Sequence, residues 1–282
     1  MTRTLLDPTA SAEGKSPVLK NATEEAFKLG DRTLLLHLFG GAVGAPATLG
    51  VYLGHFSFGT AEVVKDEFTD ENRFDVEYKQ VYAHNRSGVT SGSQKWHAYM
   101  GDTERGYLYD RPISDSIVQL PELFDDSKGV APFSALEQRL EEVMARYRSG
   151  QGEGASIVTA AQNCSQDSSQ ALYAAMSDWK KTIANGTMSA TVTAVAEDLA
   201  SHLTPMFGWA PKEWRQTANN EKVGAHELRW LPALKSPNTI LPRKNLEALT
   251  ELALDNQKPV LLVKTDVLGA DNPQAVPLEP FG

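Results

Sequence analysis

The amino-acid sequence predicts an α+β fold in which an antiparallel sheet packs on helices and carries a C-terminal appendage. Residues 33–120 hold short β-type runs separated by Gly, Asn, Asp and Pro clusters, the pattern of successive strands. Near residue 130 the apolar period changes from two to helical spacing. After residue 203 regular pattern lapses, with Pro205, Pro211, Pro232, Pro237 and Pro242 and the aromatic pair Trp209 and Trp214. These shifts divide the chain into an N-terminal arm over 1–30, a main domain over 31–203 and an appendage over 204–282 that packs on it. With 282 residues, 41% of them apolar, the chain can bury a substantial core.

The arm mixes Pro, Ser, Glu and Lys from Met1 to Asn21 without an apolar stretch, so it is expected to be loosely docked and not a secretory signal. From Thr33 to Ala61 there is no Asp, Glu, Lys or Arg, and the segment is long enough to cross a bilayer. Its glycines at Gly40, Gly41, Gly44, Gly50, Gly54 and Gly59, with Pro46, suit strands and tight turns better than a spanning helix. Mean hydropathy over the chain is −0.34, and the expectation is a soluble, cytoplasmic protein with no indicated membrane association. Strands are expected over Leu34–Phe39, Leu49–Phe58, Phe74–Tyr82, Lys95–Met100 and Asp115–Leu120. In the third of these, Phe74, Val76 and Tyr78 alternate with Asp75, Glu77 and Lys79, which predicts one buried and one wet face. Ser134-Ala135-Leu136-Glu137 has the form of a capping box opening a helix over 134–148, with Leu136, Leu140, Val143, Met144 and Tyr147 on its apolar face. Leu172, Met176, Trp179 and Ile183 stripe a second helix, and Val192, Val195, Leu199 and Leu203 a third. A short helix over Asn245–Asp255 and a strand over Pro259–Lys264 follow.

Composition narrows the chemistry. A net charge of −9 and a pI near 5.2 argue against nucleic acid as a partner, because such affinity rests on clustered Lys and Arg. One cysteine cannot form an internal disulfide or a Cys-rich zinc site. Gly40-Gly41-Ala42-Val43-Gly44-Ala45 resembles a dinucleotide turn, but Pro46-Ala47-Thr48-Leu49-Gly50 does not continue as the required helix. No metal pair or phosphate loop appears, so no cofactor is expected.

The most informative segment is Gln162-Asn163-Cys164-Ser165-Gln166-Asp167. Asn163 is a good N-cap and Gln166, three residues on, completes a capping box, which puts Cys164 in the first turn of the second helix. There the positive helix terminus favours the thiolate and is expected to lower its pKa toward neutrality. Cysteine often packs as a small hydrophobe, but these polar neighbours point its side chain toward solvent or a cleft. Asn163, Gln162 and Gln166 are candidates for oxyanion contact or positioning.

A thiolate nucleophile needs a base. The histidines are His37, His55, His84, His97, His202 and His226. His55 lies in a β-type run between Gly54 and Gly59, where a neighbouring backbone can approach closely. His202 sits beside an apolar helix stripe, and His226, next to Glu227, is the stronger rival.

A histidine strand in the context Tyr52-Leu53-Gly54-His55-Phe56, followed more than a hundred residues later by the helix start Asn163-Cys164, resembles the circularly permuted papain-like proteins. These include the lecithin:retinol acyltransferase group and bacterial cell-wall peptidases. The sequence has Ser165-Gln166 where that acyltransferase group has Glu-His. Longer runs, among them Gly54-His55-Phe56-Ser57-Phe58-Gly59 and Tyr99-Met100-Gly101-Asp102, are similar to the soluble region of cyanobacterial proteins named as CAAX-protease or abortive-infection relatives. The Glu-Glu-x-x-x-Arg signature of that protease matches Glu141 to Arg146, but on an amphipathic helix such charges are a solvated face. The first resemblance implies a permuted papain-like fold and a thiol hydrolase, thiol protease or acyltransferase with Cys164 as nucleophile and His55 as base. It also implies that a group on the strand after the histidine strand orients the imidazole, here Glu77, Gln80 or His84, of which Gln80 and His84 are preferred because Glu77 alternates onto the wet face. The enzyme's substrate would be a small molecule, lipid or peptide bearing an ester, thioester or amide. A non-catalytic module binding a peptide or small ligand in the same cleft is the alternative.

Overall fold

The computed structural model describes residues 2–6, 26–40, 54–85, 88–100, 113–127, 129–148, 163–206 and 241–265. Seven strands form one wholly antiparallel sheet: β1 (Thr2–Leu6), β2 (Arg32–Phe39), β3 (His55–Lys65), β4 (Asn72–Asn85), β5 (Gly88–Lys95), β6 (Ile113–Val118) and β7 (Val260–Thr265). Their spatial order is β1-β7-β6-β2-β3-β4-β5. A one-turn helix α1 (Trp96–Met100) follows β5, and the longer helices are α2 (Pro132–Arg148), α3 (Cys164–Ala184), α4 (Ala190–Met206) and α5 (Pro242–Asp255). The fold is therefore mixed α+β. Among the described residues, no helix is long and apolar enough to cross a membrane.

Period-two alternation gives the sheet two buried faces. Leu36, Phe56, Phe58, Val81 and Val118 meet the helices, where Leu136, Leu140, Met144, Leu172, Met176 and Trp179 close the larger core. Leu35, Phe39, Val76, Tyr78, Ile117 and Val263 line the opposite face beneath Phe27, Trp96 and Tyr99. Each large apolar side chain so buried contributes about 1.5–3 kcal/mol. The Trp179 indole donates to the Pro132 carbonyl at 2.8 Å and Arg139 pairs with Asp178 at 2.6 Å, which ties α3 to α2.

Several elements depart from the sequence expectation. Val260–Thr265, placed in an appendage, lies inside the sheet between β1 and β6, and Thr2–Leu6, placed in a loose arm, pairs with it along the edge. The strand expected over Pro259–Lys264 is present, but its place and that of Thr2–Leu6 in the sheet are not legible locally, because short apolar strands far apart in sequence reveal no partner until the chain closes. The segment Lys95–Met100, expected as a strand, turns helical after Lys95. Its buried residues Trp96 and Tyr99 share a face in a helix, but would point to opposite sides of a strand. Helix α2 starts at Pro132, two residues before the expected box, because proline is preset for the first helical position. The face of β4 expected to be wet is covered by α2. There Lys79 is buried and pairs with Glu77 at 2.6 Å and Glu137 at 2.7 Å. Residues 41–53 of the charge-free stretch lie outside the described residues.

The inserted position of β7 has a measurable consequence. A chain ending at residue 240 leaves β6 and β1 without their shared partner, and it removes Leu246, Leu249 and Val260 from the larger core. It is expected to lose its cooperative urea transition. A sharp transition at an unchanged midpoint would show the C-terminal segment to be dispensable.

Candidate active site

The site forms where the β3–β4 ladder stops. Pairing runs from Lys65↔Asn72 to Phe58↔Lys79 and goes no further, although β2 continues to pair with β3 as far as Phe39↔His55. A register shift between Gln80 and Ala83 bends β4 at this point. Gly54 and Gly59 permit the crowding on either side, since a Cβ on Gly54 would run into the Phe39 carbonyl oxygen and one on Gly59 into that of Glu77. The amide of Phe56, beyond the last ladder pair, donates to Cys164 Sγ at 3.5 Å. The cysteine sulfur thus takes the place of a strand carbonyl.

Helix α3 delivers that sulfur. Asn163 is extended at φ −150°, ψ 171°, and its side-chain oxygen accepts from the Gln166 amide at 2.8 Å, so the cap expected from the sequence sets the helix start at Cys164. The whole first turn is buried, including Ser165, Gln166, Asp167, Ser168 and Ser169. Asn245 of α5 donates to Ser165 Oγ at 3.1 Å and Ser169 Oγ at 3.0 Å, which holds this polar turn inside the protein.

His55, whose carbonyl carbon is joined to the Phe56 amide, is 7% exposed and binds Gln80 Oε1 through Nε2. An amide oxygen only accepts, so Nε2 carries the proton and Nδ1 is the basic ring atom. Glu77 lies apart, engaged with Lys79 and Lys95. His84 is on β4 beyond the register shift, paired in the ladder with Val89. The side chains of His84 and His202 lie outside the described residues, as do Gln162 and His226. Glu141 and Glu142, from the protease-like signature, meet Ser93 and Arg139.

Two expectations about Cys164 are corrected. Its side chain does not face solvent; it is 7% exposed and belongs to the larger core. Nor is its pKa lowered. Burial pushes the thiol up to about 11, against the opposing pull of the Phe56, Ser165 and Cys164 amides, and the Asp167 carboxylate adds to the rise. The polar sequence around the cysteine was taken as a sign of exposure, but α5 and the sheet cover that polar turn.

A second polar group was not singled out from sequence. His37 Nδ1 lies 2.7 Å from Asp115 Oδ1, His37 Nε2 lies 3.2 Å from the Tyr99 hydroxyl, and the Tyr78 hydroxyl donates to Asp115 Oδ2 at 3.1 Å. Asp115 in Ile113-Ser114-Asp115-Ser116-Ile117 offered a signal, because period two puts it on the same face as Ile113 and Ile117. A buried carboxylate needs such partners. Among the described residues there is no cluster of three or more His, Cys, Asp or Glu that would hold a metal ion. Comparison with protein-family models, with curated proteins and with solved structures finds no match to this chain.

The raised thiol pKa makes stability depend on pH. Above pH 9 the unfolded cysteine releases its proton while the folded one keeps it to about pH 11. The folded state then binds more protons, so stability falls as pH rises through that window, by about 2–3 kcal/mol. The buried Tyr78 hydroxyl, also held well above its usual range by burial, changes stability in the same direction. Comparison with Cys164→Ala isolates the cysteine: urea denaturation should show the stability difference between the two proteins shifting by that amount between pH 9 and pH 11. A pH-independent difference would contradict the assignment.

Proposed function

We propose that this chain is a cysteine-dependent acyl enzyme of circularly permuted papain-like type, a hydrolase or acyltransferase acting on an ester, thioester or amide. The observation that carries the reading is that Cys164 Sγ receives the Phe56 amide, the group next in the chain to His55, while Gln80 holds Nε2 of the His55 ring. The order of histidine strand before cysteine helix supports the permuted layout.

Because the thiol is neutral at rest, the base acts as the bond forms. His55 Nδ1 takes the Cys164 proton as the sulfur attacks the substrate carbonyl carbon. Gln80, being neutral, fixes the tautomer that leaves Nδ1 free of its proton. The tetrahedral oxyanion meets amide hydrogens at the start of α3. Collapse breaks the bond to the leaving group, which takes the proton from His55 and leaves a thioester on Cys164. Water or an acceptor nucleophile then gives its proton to His55 and attacks the thioester; the C–S bond breaks, the acid or acylated acceptor leaves, and the sulfur takes the proton back from His55.

Burial of the sulfur favours one rival, a non-catalytic module in which Cys164 serves as a structural acceptor for Phe56. Intact-mass measurement after incubation with acyl thioesters, p-nitrophenyl esters and peptide amides separates the two. The acyl enzyme gains one acyl mass on Cys164 and turns over. Cys164→Ala should abolish both, at a cost in stability of about 1–3 kcal/mol because the Phe56 amide loses its acceptor. His55→Ala should slow acylation by about 10²–10⁴-fold. A wild-type protein that neither acylates nor turns over any of the three classes would leave the structural role standing.

A further inference from the structure

The ring of His55 touches more than Gln80. His37, diagonal to it on β2, lies with its ring centroid 6.3 Å away, and β2 Leu38 and Phe39 pair with Phe56 and His55. His37, Ser57 and Tyr78 occupy one face of the sheet, and His37 is packed between Tyr78 at 4.6 Å and Tyr99 at 5.3 Å. One arrangement satisfies the donors and acceptors of this cluster with a single charge, and the inference rests on it. Asp115 accepts from the His37 Nδ1–H and from the Tyr78 hydroxyl, and the Tyr99 hydroxyl donates to His37 Nε2. In that arrangement the imidazole of His37 is neutral and the group carries the single negative charge of Asp115.

We propose that Asp115, acting through His37, is a positioning residue that supplies the negative charge behind His55 which the neutral Gln80 does not. This rests on the reading of His55 as the base. When His55 takes a proton it becomes a buried cation, and a carboxylate nearby in a medium of low polarity favours that form. Among the described residues, the titratable groups joined to His55 through these contacts are His37 from β2, Tyr78 from β4, Tyr99 from α1 and Asp115 from β6, while Cys164 of α3 receives the neighbouring Phe56 amide and Asp167 acts on Cys164. Asp167 acts on the sulfur, where it opposes the thiolate. Asp115 is hydrogen-bonded to the imidazole that packs on His55.

Ring-carbon magnetic resonance of the histidines in the full chain tests this without a substrate, with the His55 signal assigned by its loss in His55→Gln. Asp115→Asn keeps an acceptor for the His37 Nδ1–H and removes the charge. It should lower the midpoint of the His55 titration by about one pH unit, a tenfold change in proton affinity. His37→Gln removes the imidazole that joins Asp115 to the ring of His55. The His55 midpoint should move the same way, and this variant decides the matter alone if Asp115→Asn does not fold. A His55 midpoint unmoved in a folded variant overturns the proposal, since a purely structural role would cost stability and leave the titration where it was. A shifted midpoint with no acyl adduct on Cys164 keeps the charge relation and removes the enzymatic reading. An adduct with an unmoved midpoint does the reverse.

Discussion

The interruption of the β3–β4 ladder after Phe58↔Lys79 is the constraint on which the rest of the site depends. Backbone donors inside a protein need acceptors, and β4 bends away where Phe56 would next require one. Helix α3 answers with the sulfur of Cys164, and the Asn163 cap sets where the helix begins. His55 and Gln80 then continue across the gap through side chains instead of backbone. Glycines at 54 and 59 make room for the strands to approach on either side. One irregularity in a sheet thereby receives a thiol from a distant helix on the Phe56 amide and joins an imidazole and an amide side chain across the opened ladder.

The state of Cys164 follows from a competition of known size. A helix terminus favours a negative charge by about 0.3–1 kcal/mol, and up to about 2 in partly buried settings. Here three backbone amides act in the same sense, yet burial outweighs them and the thiol rises to about 11. On the proposed reading, a thiol held near 11 gives up its proton during attack and not before it, which would give the surroundings of His55 more weight than the helix that carries the cysteine.

Those surroundings are divided between the faces of the sheet. The helix-covered face supplies Phe56, Phe58 and the packing of α3, while the other holds His37, Tyr78, Tyr99 and Asp115 in a buried hydrogen-bonded cluster. Ion pairs such as Lys79 with Glu137 and Arg139 with Asp178 join α2 to its neighbours at the edges of this arrangement. The exposed pairs on α5, Arg243 and Lys244 with Glu247, contribute little by comparison.

Local pattern alone determined much of the architecture. β-type runs identified β2 and β6, alternation identified β4, helical spacing identified α2 and α3, and the sequence Asn163-Cys164-Ser165-Gln166 located the cap and the first turn. These features are legible because each depends on residues within a few positions of one another. The place of β7 between β1 and β6, the helical turn at Trp96, the burial of Cys164 and the pairing of His37 with Asp115 were decided by tertiary structure. Each depends on contacts between segments tens to hundreds of residues apart, and a polar run such as Ser165-Gln166-Asp167-Ser168 does not disclose whether α5 and a sheet edge will close over it. The same separation explains the error about the thiol. Its helix cap is a local property, but its dielectric surroundings are assembled by the whole fold.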